Sequence, residues 1–179
     1  MSRLNTVKYE EATGQARELL DAVKTKLGRT PNIMCVMANA PSVLQAYLGF
    51  SGALQEGVLS PTLRERIALA VSEVNGCGYC VDAHTAIGKM AGLDDQALMD
   101  SRKGTAADPK EDAAVKFSLK LVEKRGWADD ADVEALRTAG YGDAEIAEIT
   151  ANVALNLFTN YFNHVADTKS DFPKAPDLA

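Results

Sequence analysis

Cys77, Cys80 and His84 fall within eight consecutive positions of the stretch VNGCGYCVDAH, residues 74–84, in a chain with only three cysteines and two histidines. Residues of these types at these spacings serve three kinds of chemistry. Haem attachment through C-x-x-C-H requires histidine where Val81 stands. Zinc would find two thiolates and an imidazole here, but structural zinc sites are closed by a second ligand pair. The remaining candidates, Cys35, His164 and the acidic residues, show no recognisable spacing. A redox dithiol fits better. Spacings of three and four place the three side chains on one face of a helix, and near its N-terminus unsatisfied N–H groups and the helix dipole favour a thiolate. Cβ atoms at i and i+3 of a regular helix lie about 5–6 Å apart, and a disulfide wants about 3.5–4.5 Å. Closure therefore predicts a local distortion and a reducible bond.

A low thiol pKa alone is a weak catalyst. At pH about 7 a thiol of pKa about 8.5 is roughly 3% thiolate, and one of about 6.5 is roughly 75%, a gain of about 25-fold. Nucleophilicity falls with pKa at a Brønsted slope of about 0.4–0.5, which returns roughly 6- to 10-fold. The net gain is a few-fold, so the site needs a placed proton donor for the departing oxygen and a relay for the thiol proton. His84, one turn beyond Cys80, is the imidazole at hand; a structural histidine is the plainer alternative. The carboxylates near in sequence are Glu65, Glu73 and Asp82. Periodicity does not choose between Glu65 and Glu73, and either reads equally as a solvated charge.

The elements that must position these groups are helices. Period-two alternation is almost absent and helix punctuation recurs, which predicts an all-α fold. Helices are expected over Glu10–Leu27, with Leu20, Val23 and Leu27 on one face and Gly28 as cap, then from Pro31 to Met37, and from Pro41 towards Gly57. The last of these bears Val43, Leu44, Tyr47, Leu48 and Leu54, and Tyr47 and Phe50 read as core. The strongest pattern is SPTLRERIALAVSEVNG: Ser60 as N-cap, Pro61 in the first turn, Ile67, Ala70, Val71 and Val74 as the buried stripe, and Gly76 past the end. A helix starting at or just before Cys77 and reaching Met90 follows. Others are expected at Asp94–Ser101, from Asp108 and Pro109 to Gly126, at Asp130–Thr138 and from Asp143 to about Val165. The polar tail DTKSDFPKAPDLA is expected to dock or fray.

Composition narrows the functions further. The 179 residues suit one domain spanning residues 1–179, with its core motif at 60–93. Hydrophobic residues make up 46% and charged residues 25%, the proportions of an ordinary globular protein. A formal charge of −6 without any basic run argues against nucleic acid. The N-terminus lacks a signal-type apolar stretch, and the most apolar run, ITANVALNLF, is interrupted by Asn152 and Asn156. No membrane association and a cytoplasmic location are expected, a compartment where a close cysteine pair is catalytic or metal-binding rather than a staple. GYGDAE around Gly140 follows a helix and lacks the last glycine of a nucleotide loop. Cys35 reads as a small buried hydrophobe.

The segment LRERIALAVSEVNGCGYCVDAHTAIGKMAGL, residues 63–93, resembles the core of the AhpD-like alkylhydroperoxidases within the carboxymuconolactone decarboxylase family. The flanking segments GRTPNIM and ALNLFTNYFNHVADTKSDFP resemble a peroxidase-related subgroup, so the likeness covers most of the chain. Its specific part is a glutamate, eleven residues, C-x-x-C, three residues and histidine. The resemblance assigns the relay glutamate to Glu65, the peroxide-attacking thiol that passes through a sulfenic acid to Cys80, the resolving thiol to Cys77 and the relay imidazole to His84. Glu73 stands where the subgroup often has an acidic residue. Tyr79 departs from the pattern, since the best-known peroxidase of the family has histidine before its second cysteine.

The resemblance implies an all-helical AhpD-like bundle assembled as trimers or hexamers, needing no cofactor and no metal. Phe158, Tyr161, Phe162 and Val165 offer apolar surface for such a homo-oligomer or for the core, and His164 is a structural or interface residue with a conceivable role at the site. The expected activity is thiol-dependent reduction of an alkyl hydroperoxide, reset by an unidentified dithiol or protein reductant. The alternatives are a general dithiol oxidoreductase or redox sensor, a zinc-clipped scaffold, and a lactone decarboxylase, the last weakened because that branch does not rely on C-x-x-C.

Overall fold

Ser60 and Pro61 begin the helix around which the others assemble. The Ser60 hydroxyl accepts a hydrogen bond from the Leu63 N–H at 3.1 Å, and Pro61 occupies a first-turn position whose N–H has no helical partner in any case. In the computed structural model, which describes residues 2–178, this helix is α4, Pro61–Val74, and eight of its residues, from Leu63 to Ser72, are buried. It can be buried nearly all round because it packs against four neighbours: α5 (Gly78–Ala91), α6 (Asp95–Arg102), α7 (Pro109–Glu123) and α9 (Asp143–Ala166). Ahead of it lie a 3₁₀ turn at Tyr9–Glu11, α1 (Gly14–Leu27), α2 (Asn32–Met37) and α3 (Pro41–Gln55); α8 (Asp130–Thr138) bridges α7 and α9. No strand occurs among the described residues, and none of their helices is long and apolar enough to cross a membrane.

The joint between α4 and α5 is a Schellman turn. Gly76 adopts φ +66°, its N–H bonds to the Glu73 carbonyl at 2.9 Å, and the Cys77 N–H bonds to the Ser72 carbonyl at 2.9 Å. A left-handed residue is cheap only for glycine. The chain consequently reverses within three residues, and α5 runs back along α4.

Two larger buried clusters meet near that joint. One gathers Leu20, Val23, Ile33, Met37 and Leu44 of the first three helices with Cys77, Tyr79, Cys80 and Ala83. The other gathers Leu63, Ile67 and Val71 of α4 with Phe117, Leu121, Leu136, Ile149 and Val153.

Several expectations are revised. The first helix starts at Gly14, not Glu10: Gly14 itself is left-handed at φ +55°, and the preceding 3₁₀ turn is held by Tyr9, whose hydroxyl donates to Asp21 at 2.5 Å beneath the Arg17 guanidinium. Leu27 and Val74 are exposed rather than buried. Phe50 is 40% exposed and not core, because α3 packs against α1, α2 and α9 through its other faces. Cys35 is buried, as expected, and burial pushes its thiol up.

The tail docks. Asp171 receives a hydrogen bond from the Tyr79 hydroxyl at 2.9 Å and pairs with Arg29 at 3.1 Å. Phe172 meets the Tyr79 ring edge-on, with centroids 5.7 Å apart, and lies under the Arg29 guanidinium. Farther on, the Ala175 N–H donates to Asp82 at 2.8 Å, and Arg102, itself held by Glu73 at 2.7 Å, donates to the Pro176 carbonyl.

Three substitutions test this packing. A Cβ at Gly88 of α5 would come within 2.8 Å of Leu98 Cδ2 and 3.3 Å of Leu93 Cδ1. Gly88→Val therefore lowers the urea-unfolding free energy by about 1–3 kcal/mol. Gly49→Ala in α3, where nothing lies within 4 Å of the new carbon, raises it by about 0.5–1 kcal/mol. For the tail, Tyr79→Phe leaves the buried Ile33 N–H without its 3.3 Å acceptor and Asp171 without a donor, costing about 1–3 kcal/mol. Limited proteolysis should cut the variant faster within 167–178. Burial raises the Tyr79 phenol above its ordinary 10.0, so the folded state favours the neutral form. The wild type then loses stability as pH climbs past that ordinary value, and the phenylalanine variant loses less.

Candidate active site

Cys77 and Cys80 are joined as a disulfide. The arrangement differs from three residues on one helical face. Cys77 is the N-cap of α5, with φ −84° and ψ 85°, and the helix proper begins at Gly78. Cys77 thus departs from helical backbone, and the two Cα atoms lie 5.3 Å apart, within the ordinary span of a disulfide. The expected local distortion is this non-helical backbone at Cys77, ahead of a regular α5. The departure from the helical expectation has its cause in Gly76, which ends α4 and hands the chain to α5 with Cys77 in non-helical backbone.

Cys80 sits in the first turn of α5, where backbone N–H groups lack helical partners. One turn on, His84 Nδ1 lies 2.8 Å from Glu65 Oε2. The two residues are nineteen positions apart and meet because α5 returns along α4. A carboxylate accepts and does not donate, so Nδ1 carries the hydrogen and Nε2 is left as the basic nitrogen. Both side chains are largely shielded, at 22% and 16% exposure.

A cavity of about 220 Å³ opens onto this group. Cys80, Ala83 and His84 line it from α5; Ile33, Met34 and Tyr47 come from α2 and α3, and Leu27, Ile87, Met90 and Phe172 lie around it. Its wall is mostly apolar, with Thr159 and Asn163 of α9 as the polar contribution from the far side and Arg29 of the α1–α2 connection. Cys80 is 3% exposed and Cys77 1%, and of the two only Cys80 lines the cavity. A smaller cleft of about 90 Å³ lies beyond Glu65 and His84, bounded by Ser51, Gln55, Arg64, Asn152 and Asn156. The Glu65–His84 hydrogen bond thus stands between a mostly apolar cavity and a more polar cleft.

The structure brings four of the singled-out residues together: Cys77, Cys80, His84 and Glu65. It leaves three elsewhere. Glu73 is occupied by Arg102 and serves the tail. His164 is exposed on α9, with its backbone carbonyl accepting from Arg3 at 2.8 Å, and does not line the cavity. Asp82 is likewise taken by the tail. Tyr79, in the place where an imidazole would match the family pattern, turns its hydroxyl towards Asp171 and Ile33. Among the described residues no group of three or more His, Cys, Asp or Glu side chains is disposed around a metal position.

One residue at the site escaped the sequence reading. Asn163 Nδ2 lies 3.3 Å from Cys80 Sγ and 4.0 Å from Cys77 Sγ. Its signal was present in the polar series Asn152, Asn156, Asn160 and Asn163, which interrupts an otherwise apolar helix and is buried throughout.

Residues 41–124, from the start of α3 to the end of α7, match the carboxymuconolactone decarboxylase family. The uncharacterized protein YdfG of Bacillus subtilis (strain 168) is 28% identical over 82 residues, which are 44% of this chain and 56% of that protein. The chain thus spans little more than half the length of that relative. Among solved structures, the alkylhydroperoxidase AhpD core of an uncharacterized peroxidase-related protein from Ralstonia eutropha JMP134 superposes with a TM-score of 0.86 at 27% identity, covering 95% of this chain and 92% of that one. An uncharacterized peroxidase-related protein from Silicibacter sp. TM1040 has a TM-score of 0.79 at 23% identity, with 94% of each chain covered. The debrominase Bmp8 in complex with 2,3,4-tribromopyrrole has a TM-score of 0.77 at 20% identity, covering 94% of this chain and 91% of that one. The last two share the fold. With α4 and α5, their intervening C-x-x-C turn and the paired Glu65 and His84 all inside the matched region, residues 41–124 are similar to the carboxymuconolactone decarboxylase family and the chain has the AhpD-like fold.

Proposed function

We propose that this protein is a thiol-dependent reductase of organic hydroperoxides. The observation that carries the reading is the Cys80 sulfur at an apolar cavity, beside a second thiol within bonding reach and an imidazole braced by a carboxylate. In the reduced enzyme His84 Nε2 takes the Cys80 thiol proton, and Glu65 stabilises the imidazolium. The thiolate attacks the hydroxyl oxygen of R–O–O–H. An S–O bond forms, the O–O bond breaks, sulfur is oxidised by two electrons, and the departing alkoxide takes the proton from His84 to leave as R–OH. Cys77 then attacks the Cys80 sulfenic sulfur. The S–S bond forms, the S–O bond breaks, and hydroxide leaves with the Cys77 proton as water. A dithiol donor small enough to enter the cavity restores both thiols by two exchange steps and becomes a disulfide.

The cavity supports this over a general protein oxidoreductase, because a protein disulfide would have to reach sulfurs that are 1% and 3% exposed. A small apolar hydroperoxide meets no such barrier. An exposed apolar strip on α9, Phe158, Tyr161 and Val165, supports a homo-oligomer in which it is covered.

The test mixes reduced protein with cumene hydroperoxide and follows thiol loss, sulfenic-acid trapping and intact mass. Wild type should lose two thiols and form the Cys77–Cys80 disulfide. Cys77→Ser should stop at the sulfenic acid, and Cys80→Ser should consume no peroxide. Glu65→Gln should slow the first step about 10²- to 10⁴-fold, the usual contribution of acid–base catalysis. Peroxide consumption by Cys80→Ser, or bromide release from a bromopyrrole without hydroperoxide turnover, would sink the proposal.

A further inference from the structure

We propose that Asn163 is a catalytic residue with two separate tasks, its Nδ2–H holding the Cys80 sulfur and its Oδ1 receiving the O–H of the substrate hydroperoxide. The second task rests on the peroxidase reading; the first does not.

The donor half follows from geometry. Asn163 reaches across from α9 to the first turn of α5, and its Nδ2 stands 3.3 Å from Cys80 Sγ, a hydrogen-bond distance for sulfur. Neutral thiol and disulfide sulfurs are poor acceptors, whereas a thiolate is a good one. The contact therefore gains most in the reactive state. The titratable side chains around the cavity are His84, Tyr47, Tyr79 and Arg29. Glu65 stands behind His84 and Asp171 behind Tyr79. Asn163 adds to these an uncharged donor directly on the sulfur.

The acceptor half follows from an unpaired atom. Asn163 is 4% exposed, and its Oδ1 is buried without a hydrogen-bond partner among the described residues. Other asparagines of the series are engaged differently: Asn160 binds Asn75 and Ser72, while Asn152 and Asn156 each donate to the backbone one turn earlier. Buried side-chain oxygens without a partner also occur at Thr85 and Thr168, but neither lines the cavity, and Asn163 does. A leucine of similar shape would fill the same space without burying an unpaired acceptor. A hydroperoxide entering the cavity offers this acceptor a donor. Nδ2 and Oδ1 belong to one planar amide, so an O–H bound to Oδ1 presents its oxygen beside the sulfur held by Nδ2, the near-attack arrangement for S–O bond formation. After the O–O bond breaks, the same acceptor can hold the sulfenic O–H until Cys77 attacks.

The experiment uses the full chain carrying Cys77→Ser and Cys35→Ala, so that Cys80 is the sole thiol, with Asn163, Asn163→Leu or Asn163→Asp. Alkylation of Cys80 by iodoacetamide is followed against pH, and reaction with cumene hydroperoxide and with a small neutral disulfide is followed by thiol loss. Asn163→Leu should raise the alkylation midpoint, cutting the thiolate fraction at neutral pH about tenfold or more. Once corrected for thiolate, its peroxide rate should fall about a further tenfold, the loss of one orienting contact, while its disulfide rate should not. Asn163→Asp, which keeps an acceptor and loses the donor, should raise the midpoint and keep the corrected peroxide rate. An unchanged midpoint in both variants overturns the donor role. A peroxide rate that falls only in step with thiolate overturns the orienting role. If the parent consumes no hydroperoxide, the peroxidase reading and with it the orienting role fail, and the midpoint still decides the donor role.

Discussion

The left-handed backbone at Gly76 is the constraint on which the site depends. With φ at +66° it closes α4 in a Schellman turn and delivers Cys77 outside both helices. Had α5 begun one residue earlier, the two cysteines would sit at i and i+3 of a regular helix, with Cβ atoms about 5–6 Å apart. Instead Cys77 has non-helical backbone, which lets its side chain turn towards Cys80, and the two are joined. The same turn sends α5 back along α4, and that return is what lets Glu65 meet His84 across nineteen residues. Any side chain at position 76 would meet the steric cost of the left-handed region, and the dithiol and the ion pair would be disturbed together.

A second constraint is the polar seam of α9. Burying an amide is costly unless it is hydrogen-bonded, yet this helix buries four asparagines against α4 and α5. Asn160 repays its burial through Asn75 at 2.8 Å and Ser72 at 3.3 Å, tying α9 to the end of α4 just before the Gly76 turn. Three residues later the seam reaches the sulfurs. Position along α9 is therefore fixed by directional bonds rather than by apolar packing alone, which would tolerate small slips. That fixity is what a donor 3.3 Å from Cys80 requires.

Local signals made the helices legible and tertiary partners made much of the site illegible. Caps such as Ser60 and Asp108 act within one turn, so their helices begin where the sequence pattern puts them. Gly14 and Phe50 misled because a left-handed start and the choice of packed face depend on neighbours distant in sequence. Cys77, Cys80 and His84 stood out by type and spacing. Glu65 and Glu73 could not be told apart by periodicity, since both lie on α4; what separates them is that one faces His84 and the other Arg102. Family resemblance chose Glu65, and the geometry pairs it with His84. Asn163 lies more than eighty residues from its sulfur partner, and nothing local distinguishes an amide that touches a thiol from one that touches a backbone carbonyl.

The apolar cavity and the Glu65–His84 hydrogen bond answer one requirement. In the proposed cycle the proton that leaves Cys80 is the proton delivered to the alkoxide, and the proton that leaves Cys77 departs in water, so the oxidative half needs no proton from solvent. His84 must hold a proton between two events without losing it. Water beside the imidazolium would offer an exchange partner and would screen its attraction to Glu65; the largely apolar wall around Cys80 and His84 limits both. The polar residues Ser51, Gln55, Arg64, Asn152 and Asn156 gather instead on the Glu65 side of the pair. There they can solvate the carboxylate without opening the reacting sulfur to water. A thiol pair, for which a lowered pKa by itself would gain only a few-fold in reactivity, thus acquires its proton relay from a helix pair with a mostly apolar wall on the sulfur side and polar side chains on the carboxylate side.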